Sequence, residues 1–196
     1  EEGTGMKAID ALKKEHEAVR LMMKIMDAAC VKINAQQKLQ TADIDVMIDF
    51  LKVFVDRCHH GKEEQILFPQ LELAGVPKEG GPIGVMLAEH EQGRVYIRNM
   101  SQAVVDYEVG NAEATALLVK YITDYIELLE QHISKENTML FSMADKLLSA
   151  EMQEKLFDRF ETLEEEVIGM GKHEELHKRL ERLGTTYLGR SGHGQH

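Results

Sequence analysis

Apolar residues recur every three or four positions along most of this chain, the period of helices that bury one face. Ile9, Leu12, Val19, Met23, Met26, Cys30 and Ile33 keep that spacing and predict a first helix from Met6 to Gln37. Thr41 and Asp43 offer a start for a second, from Ala42 to Leu73. "AGVPKEGGP" is the clearest loop, and its last residue, Pro82, suits the first turn of a third helix that runs to Val109. Gly110 and Asn111 read as a stop and restart, after which a fourth helix continues to Leu148. A fifth, more charged helix is expected from Ser149 to Leu183. Four long helices with short connections predict an all-α fold, an antiparallel up-down four-helix bundle over residues 1–148. The accessory helix at 149–184 would pack along its side or end, and 185–196 would form a flexible tail.

The apolar stripes contain polar residues. In the first helix the positions 9, 12, 16, 19, 23, 26 and 30 share a face, and position 16 is His16. His90 stands between Met86 and Ile97 on the third helix, and His132 and Glu136 stand between Leu129 and Met139 on the fourth. The second helix carries "HHGKEEQILF" (59–68), where either His59 with Glu63 or His60 with Glu64 lies one turn apart on one face. One such histidine is ordinary in a core. Four, with carboxylates one turn on, are not, because burying several carboxylates together calls for a cation. Counting at about 1.5 Å rise per residue brings all four helices' histidines to one level of the bundle.

The pattern also repeats. "KEHE" (14–17) precedes "HHGKEEQILF", and "AEHE" (88–91) precedes "QHISKENTMLF" (131–141). Two hairpins that each supply two histidines and a glutamate predict an approximately two-fold site. Imidazoles and carboxylates on four facing helices are how bundles build di-iron or di-manganese centres. Aligning the "KE" dipeptides of the echo favours the His59/Glu63 pair; aligning His60 with His132 favours His60/Glu64.

Composition narrows the function classes. The net charge of −11 disfavours nucleic acid and anionic membrane as partners. Eleven methionines, three prolines and no tryptophan suit a helical protein. Cys30 and Cys58 lack paired spacing and read as free thiols of a reducing, cytoplasmic compartment. No apolar run is long enough to span a membrane, and no signal peptide is visible. "EEGTG" before Met6 reads as a remnant or an internal cut, which leaves room for a lost leader, neighbouring domain or protein partner.

The order His16, His60 with Glu64, His90, His132 with Glu136 resembles the hemerythrin-like, or HHE cation-binding, family over roughly residues 7 to 148. "HGKEEQILFP" and "HISKENTMLF" look like that family's ligand helices, with the Leu-Phe pair just beyond the carboxylate. The resemblance implies His16, His60, His90 and His132 as terminal ligands and Glu64 and Glu136 as bridges between two non-haem irons joined by an oxo or hydroxo group; manganese would also suit these donors. It selects His60/Glu64 over His59/Glu63. Oxygen-carrying hemerythrins have a fifth histidine where this chain has Arg94, and their last carboxylate is an aspartate five residues after the final histidine, whereas Glu136 stands four after. The set is therefore closer to bacterial members linked to iron-centre repair, nitric oxide or peroxide. With four histidines about one position per metal would stay open, which suits reaction with dioxygen, nitric oxide or peroxide. Sensing of such a ligand, storage, and iron donation for repair are the alternatives. Asp56 and Glu89 are candidates to orient ligands, and Tyr96, Tyr121 and Tyr125 to line the pocket.

"HEELH" (173–177) matches a zinc-protease pattern, yet no third histidine stands at the required spacing and the segment lies in a charged, peripheral helix. It is set aside, as are His193 and His196 of the tail.

Overall fold

A computed structural model describes residues 7–189. Among them are six helices: α1 (Ala8–Asn34), α2 (41–73), α3 (Pro82–Glu108), α4 (112–147), α5 (Ala150–Ile168) and α6 (Lys172–Leu188). Boundaries follow local chemistry. Pro82 opens α3 in its first turn, Asn111 accepts from the backbone N–H of Glu113 and Ala114 at the start of α4, and Ser149 accepts from Met152 N–H at the start of α5.

Two helices are wound unevenly. α2 is π-wound over Leu51–His60 and again over Glu63–Leu67, and α4 over Glu136–Leu140. A π turn holds more residues than the 3.6 of an α turn, so it shifts the phase of everything beyond it.

The core comes in two parts. One holds Val19 to Ile33 of α1, Ile44 to Val55 of α2, Ile97 to Tyr107 of α3 and Leu118 to Ile133 of α4. The other holds Ala8 to Leu12, Ile66 to Leu71, Ile83 and Met86, and Leu140 to Ala144 of the same helices, with Leu148 just past the end of α4. Each helix thus passes from one apolar layer to the other, and successive helices pass in opposite directions. That is the expected up-down bundle. Between the layers lies a buried polar one, with Glu15, His16, His59, His60, Lys62, Glu63, His90, His132 and Glu136.

The accessory segment differs from expectation. It is two helices, broken at Gly169 and Gly171, whose φ of 84° and 77° are left-handed values that end a helix. α5 covers one apolar layer through Leu156, Phe160 and Leu163, and α6 covers the other through Leu176, Leu180 and Leu183. Residues 185–188, expected in the tail, are the last turn of α6; 190–196 and the segment before Lys7 lie outside the described residues. No helix among the described residues is long and apolar enough to cross a membrane.

Candidate metal centre

The polar layer resolves into two groups that share one residue. His16, His59, Glu63 and Glu136 form the first, and His60, Glu63, His90 and His132 the second; within each, one ligand atom per residue lies within 4.8 Å of the others. Both carboxylates span the groups. Glu63 Oε1 lies 3.6 Å from His59 Nε2 and its Oε2 3.4 Å from His90 Nε2. Glu136 Oε2 lies 3.1 Å from His16 Nε2 and its Oε1 3.2 Å from His132 Nε2. None of these approaches has hydrogen-bond geometry, so all four oxygens are buried without a partner, as are both nitrogens of His60.

The backs of the rings are held. His59 Nδ1 lies 2.7 Å from Glu15, His132 Nδ1 2.9 Å from Glu89, His90 Nδ1 2.7 Å from Glu64, and His16 Nδ1 2.9 Å from Asn137 Oδ1. With those acceptors taking the Nδ1 protons, each Nε2 carries its lone pair inward. The inward nitrogens then face each other in pairs, His16 with His59 at 3.0 Å and His90 with His132 at 3.1 Å. Opposed lone pairs repel at that distance unless a proton or a cation lies between them. Two unpartnered carboxylates and five converging imidazoles are a donor set that fits bound metal.

The metal-free electrostatics carry the same strain. Burial, then the charge of Glu136, pushes the Glu63 carboxyl well above its usual range. Burial acts on Glu136 likewise, but His132 and His16 overcome it and hold that carboxyl low. Burial alone would lower His132, yet Glu136 and Glu89 bring it up to about 9. Burial lowers His59, and it lowers His60 strongly, with the neighbouring imidazoles adding to it. Behind the site Glu15 is held at about 2 by His59 and Lys62 against the opposing effect of burial.

Of the six expected ligands, His16, His60, His90, His132 and Glu136 meet here, and Glu64 does not. Glu64 is a quarter exposed and binds His90 Nδ1 and Arg94 Nη2 (2.7 Å each) from outside. Glu63 takes its place at the centre, and His59 joins His60, because the π-wound turns of α2 bring two adjacent histidines to the inner face. The fifth imidazole thus comes from α2 and not from the Arg94 position of α3. The signal that marked His59 and Glu63 was the "KE" echo.

The other candidates fall around this centre. Glu89 does orient a histidine, His132 across the hairpin and not its neighbour His90. Asp56 lies 3.8 Å from His60 Nδ1 and is tied to Arg94. Tyr125 lines a small cavity beside His60, His90 and His132, with Asp56, Gly93 and Arg94 on its walls. Tyr96 lies in a surface groove and Tyr121 packs on the core. In "HEELH", His173 and His177 pack their rings on Phe54 at 5.3 and 5.5 Å. Glu15, Glu164 and His173 approach one another there, but the Lys62 ammonium already fills the space between the two carboxylates.

A sequence profile of the hemerythrin HHE cation binding domain matches residues 7–144. The chain belongs to that family. Uncharacterized proteins of Mycobacterium tuberculosis and Mycobacterium bovis are each 25% identical over 160 residues, which is 81% of this chain and 60% of theirs. The iron-sulfur cluster repair protein YtfE of Yersinia pseudotuberculosis is 37% identical over 89 residues, 44% of this chain and 40% of that protein. The chain therefore spans less than two thirds of these relatives. No solved structure matches it.

Proposed function

We propose that this hemerythrin-family chain holds two non-haem irons between His16/His59 and His60/His90/His132, bridged by Glu63 and Glu136, and reacts there with dioxygen, nitric oxide or peroxide. The observation that carries the reading is the pair of fully buried carboxylates whose four oxygens face both groups and meet no donor. Bound irons would supply the electrons that a small oxidant takes up.

The chain's own residues do the rest. Five imidazole nitrogens and four carboxylate oxygens would supply nine of the roughly twelve donors that two six-coordinate ions take, leaving about three for small ligands. That is one place fewer than four histidines would leave with the same carboxylates. Glu15, Glu64, Glu89 and Asn137 fix each ring's orientation and tautomer. The apolar layers on either side keep bulk water from the site. Manganese suits the same donors and is distinguished by analysis of the purified metal.

The name of the Yersinia relatives favours a second reading, in which the chain serves the repair of iron centres. One experiment separates the readings. Metal is counted in protein purified without additions, spectra are followed through dithionite and air, and peroxide or nitric oxide consumption is then measured. About two irons per chain with consumption supports the reaction. Two irons without consumption, but released to an apo-acceptor, supports repair, and no uptake of anaerobic ferrous iron refutes both.

A further inference from the structure

The two hairpins repeat one more arrangement. In the first, Lys62 and His59 of α2 both contact Glu15 of α1, with Lys62 Nζ at 2.5 Å and His59 Nδ1 at 2.7 Å. In the second, Lys135 and His132 of α4 both contact Glu89 of α3. The residues correspond one to one, since each lysine follows its histidine by three and each glutamate precedes the hairpin's other histidine.

Their surroundings do not correspond. Lys135 is 35% exposed and, among the described residues, meets Glu89 alone. Lys62 is 3% exposed and makes a second contact, 2.7 Å to Glu164 of α5. α5 lies directly on this turn of α2. A side chain begun at Gly61 would meet Leu163 at 3.7 Å, and Arg57 Nη2 donates to Val167 O at 3.2 Å. Only one half of the repeated site is therefore wired to the accessory helices, by the run Glu164–Lys62–Glu15–His59.

We propose that Glu164 is a positioning residue for one of the two metal positions, the one held by His16 and His59. This rests on the two-metal reading above. An ammonium shared between two carboxylates neutralises each less than one it serves alone. Glu164 thus leaves Glu15 a stronger acceptor for the His59 Nδ1 proton, and His59 Nε2 a stronger donor to its ion. Glu164 also fixes the lysine that fixes Glu15. The His60/His90/His132 position has no such connection to α5.

The test loads the full chain with ferrous iron anaerobically and follows release to a ferrous chelator. Partners immediately behind a ligand typically alter affinity 10–100-fold. One step further out, Glu164→Gln is expected to speed release about 3–10-fold for half of the bound iron and to leave the other half at the wild-type rate. Lys135→Met leaves Glu89 unneutralised and a stronger acceptor for the His132 Nδ1 proton, so it slows the opposite half, and the double variant widens the gap between the two halves. In a redox titration Glu164→Gln moves one of two one-electron steps to more positive potential, which loss of helix packing alone would not do. Lys155→Ala, exposed on the same helix, changes neither readout. Equal acceleration of both halves by Glu164→Gln, or of neither, overturns the inference and leaves the two-metal reading intact. A wild-type chain that takes up fewer than two ions refutes that reading itself.

Discussion

Glutamates 63 and 64 are neighbours, and the structure gives opposite consequences for neutralising them. Glu63→Gln keeps the shape and removes the charge of a side chain that is 0% exposed and without a partner. In the metal-free chain burial and Glu136 raise its carboxyl well above the ordinary 4.5. A carboxyl raised on folding costs nothing near its ordinary value, and costs progressively more as pH climbs towards the raised one. At about 1.4 kcal/mol per pH unit, the window from 4.5 to 7 limits the cost at pH 7 to about 3.5 kcal/mol. Glu63→Gln should therefore make the metal-free chain more stable by up to that amount at pH 7, with the gain vanishing near pH 4.5. Glu64→Gln weakens contacts to His90 and Arg94 on a partly exposed surface, and costs about 1 kcal/mol or less.

With metal the order reverses. Glu63→Gln replaces one of the two facing oxygens by an amide nitrogen and removes the charge that both positions share, and should lower affinity at least about 100-fold, so that at most one ion is retained. Glu64→Gln acts from behind His90 and should keep two ions, held roughly tenfold more weakly. Urea unfolding of the metal-free variants from pH 4.5 to 7.5, with anaerobic iron titration of each, checks both halves. If Glu64→Gln loses an ion while Glu63→Gln keeps two, the placement of Glu63 is wrong. If Glu63→Gln destabilises the metal-free chain at pH 7, the account of its burial is wrong.

Two further outcomes are expected. In Glu63→Gln, where position 63 no longer titrates, metal-free stability should peak near pH 6.5. His59 and His60, lowered by burial, make the fold lose stability as pH falls below the ordinary 6.5, and His132, raised to about 9, makes it lose stability as pH rises from 6.5 through 9. Thermal unfolding across pH reads this, and a flat profile refutes it. Gly61→Ala should stabilise the chain by about 0.5–1 kcal/mol, because the position is helical and the added methyl meets Gln65 and Leu163 at 3.5 and 3.7 Å, ordinary contact. A loss of stability in urea unfolding would show that α5 lies closer to α2 than described.

The fold was readable because helices with one buried face leave a periodic trace, and His16, His90 and His132 were readable because they interrupt it. Their common level followed from counting residues at a fixed rise. What failed was phase. The choice of Glu64 came from the resemblance and put Leu67 and Phe68 one α turn beyond the carboxylate, a count that the π-wound stretches over Leu51–His60 and Glu63–Leu67 do not keep. The repeat held the correction, since Leu67 and Phe68 stand four and five residues after Glu63, as Leu140 and Phe141 do after Glu136. Matching π turns begin at both glutamates. The break between α5 and α6 was also marked, by Gly169 and Gly171. The pairing of Glu15 with His59 and of Glu89 with His132 was not, because it depends on which helices face each other across each hairpin.

Charge explains why the polar layer selects a cation. Behind the histidines every acceptor is either uncharged or matched by a cation: Asn137 is an amide, Glu15 touches Lys62, Glu89 touches Lys135, and Glu64 touches Arg94. Those groups can orient imidazoles without adding much uncompensated charge to the interior. At the centre the opposite holds. Glu63 and Glu136 are the most deeply buried of these carboxylates, no lysine or arginine among the described residues reaches them, and in the metal-free chain the charge they meet is that of His132, raised to about 9. A protein stabilised only by its own contacts would have no reason to match the outer carboxylates and leave the inner two bare, since an unpaired buried carboxylate is among the costliest groups a core can contain. The arrangement makes sense when the inner pair is completed by cations from outside the chain.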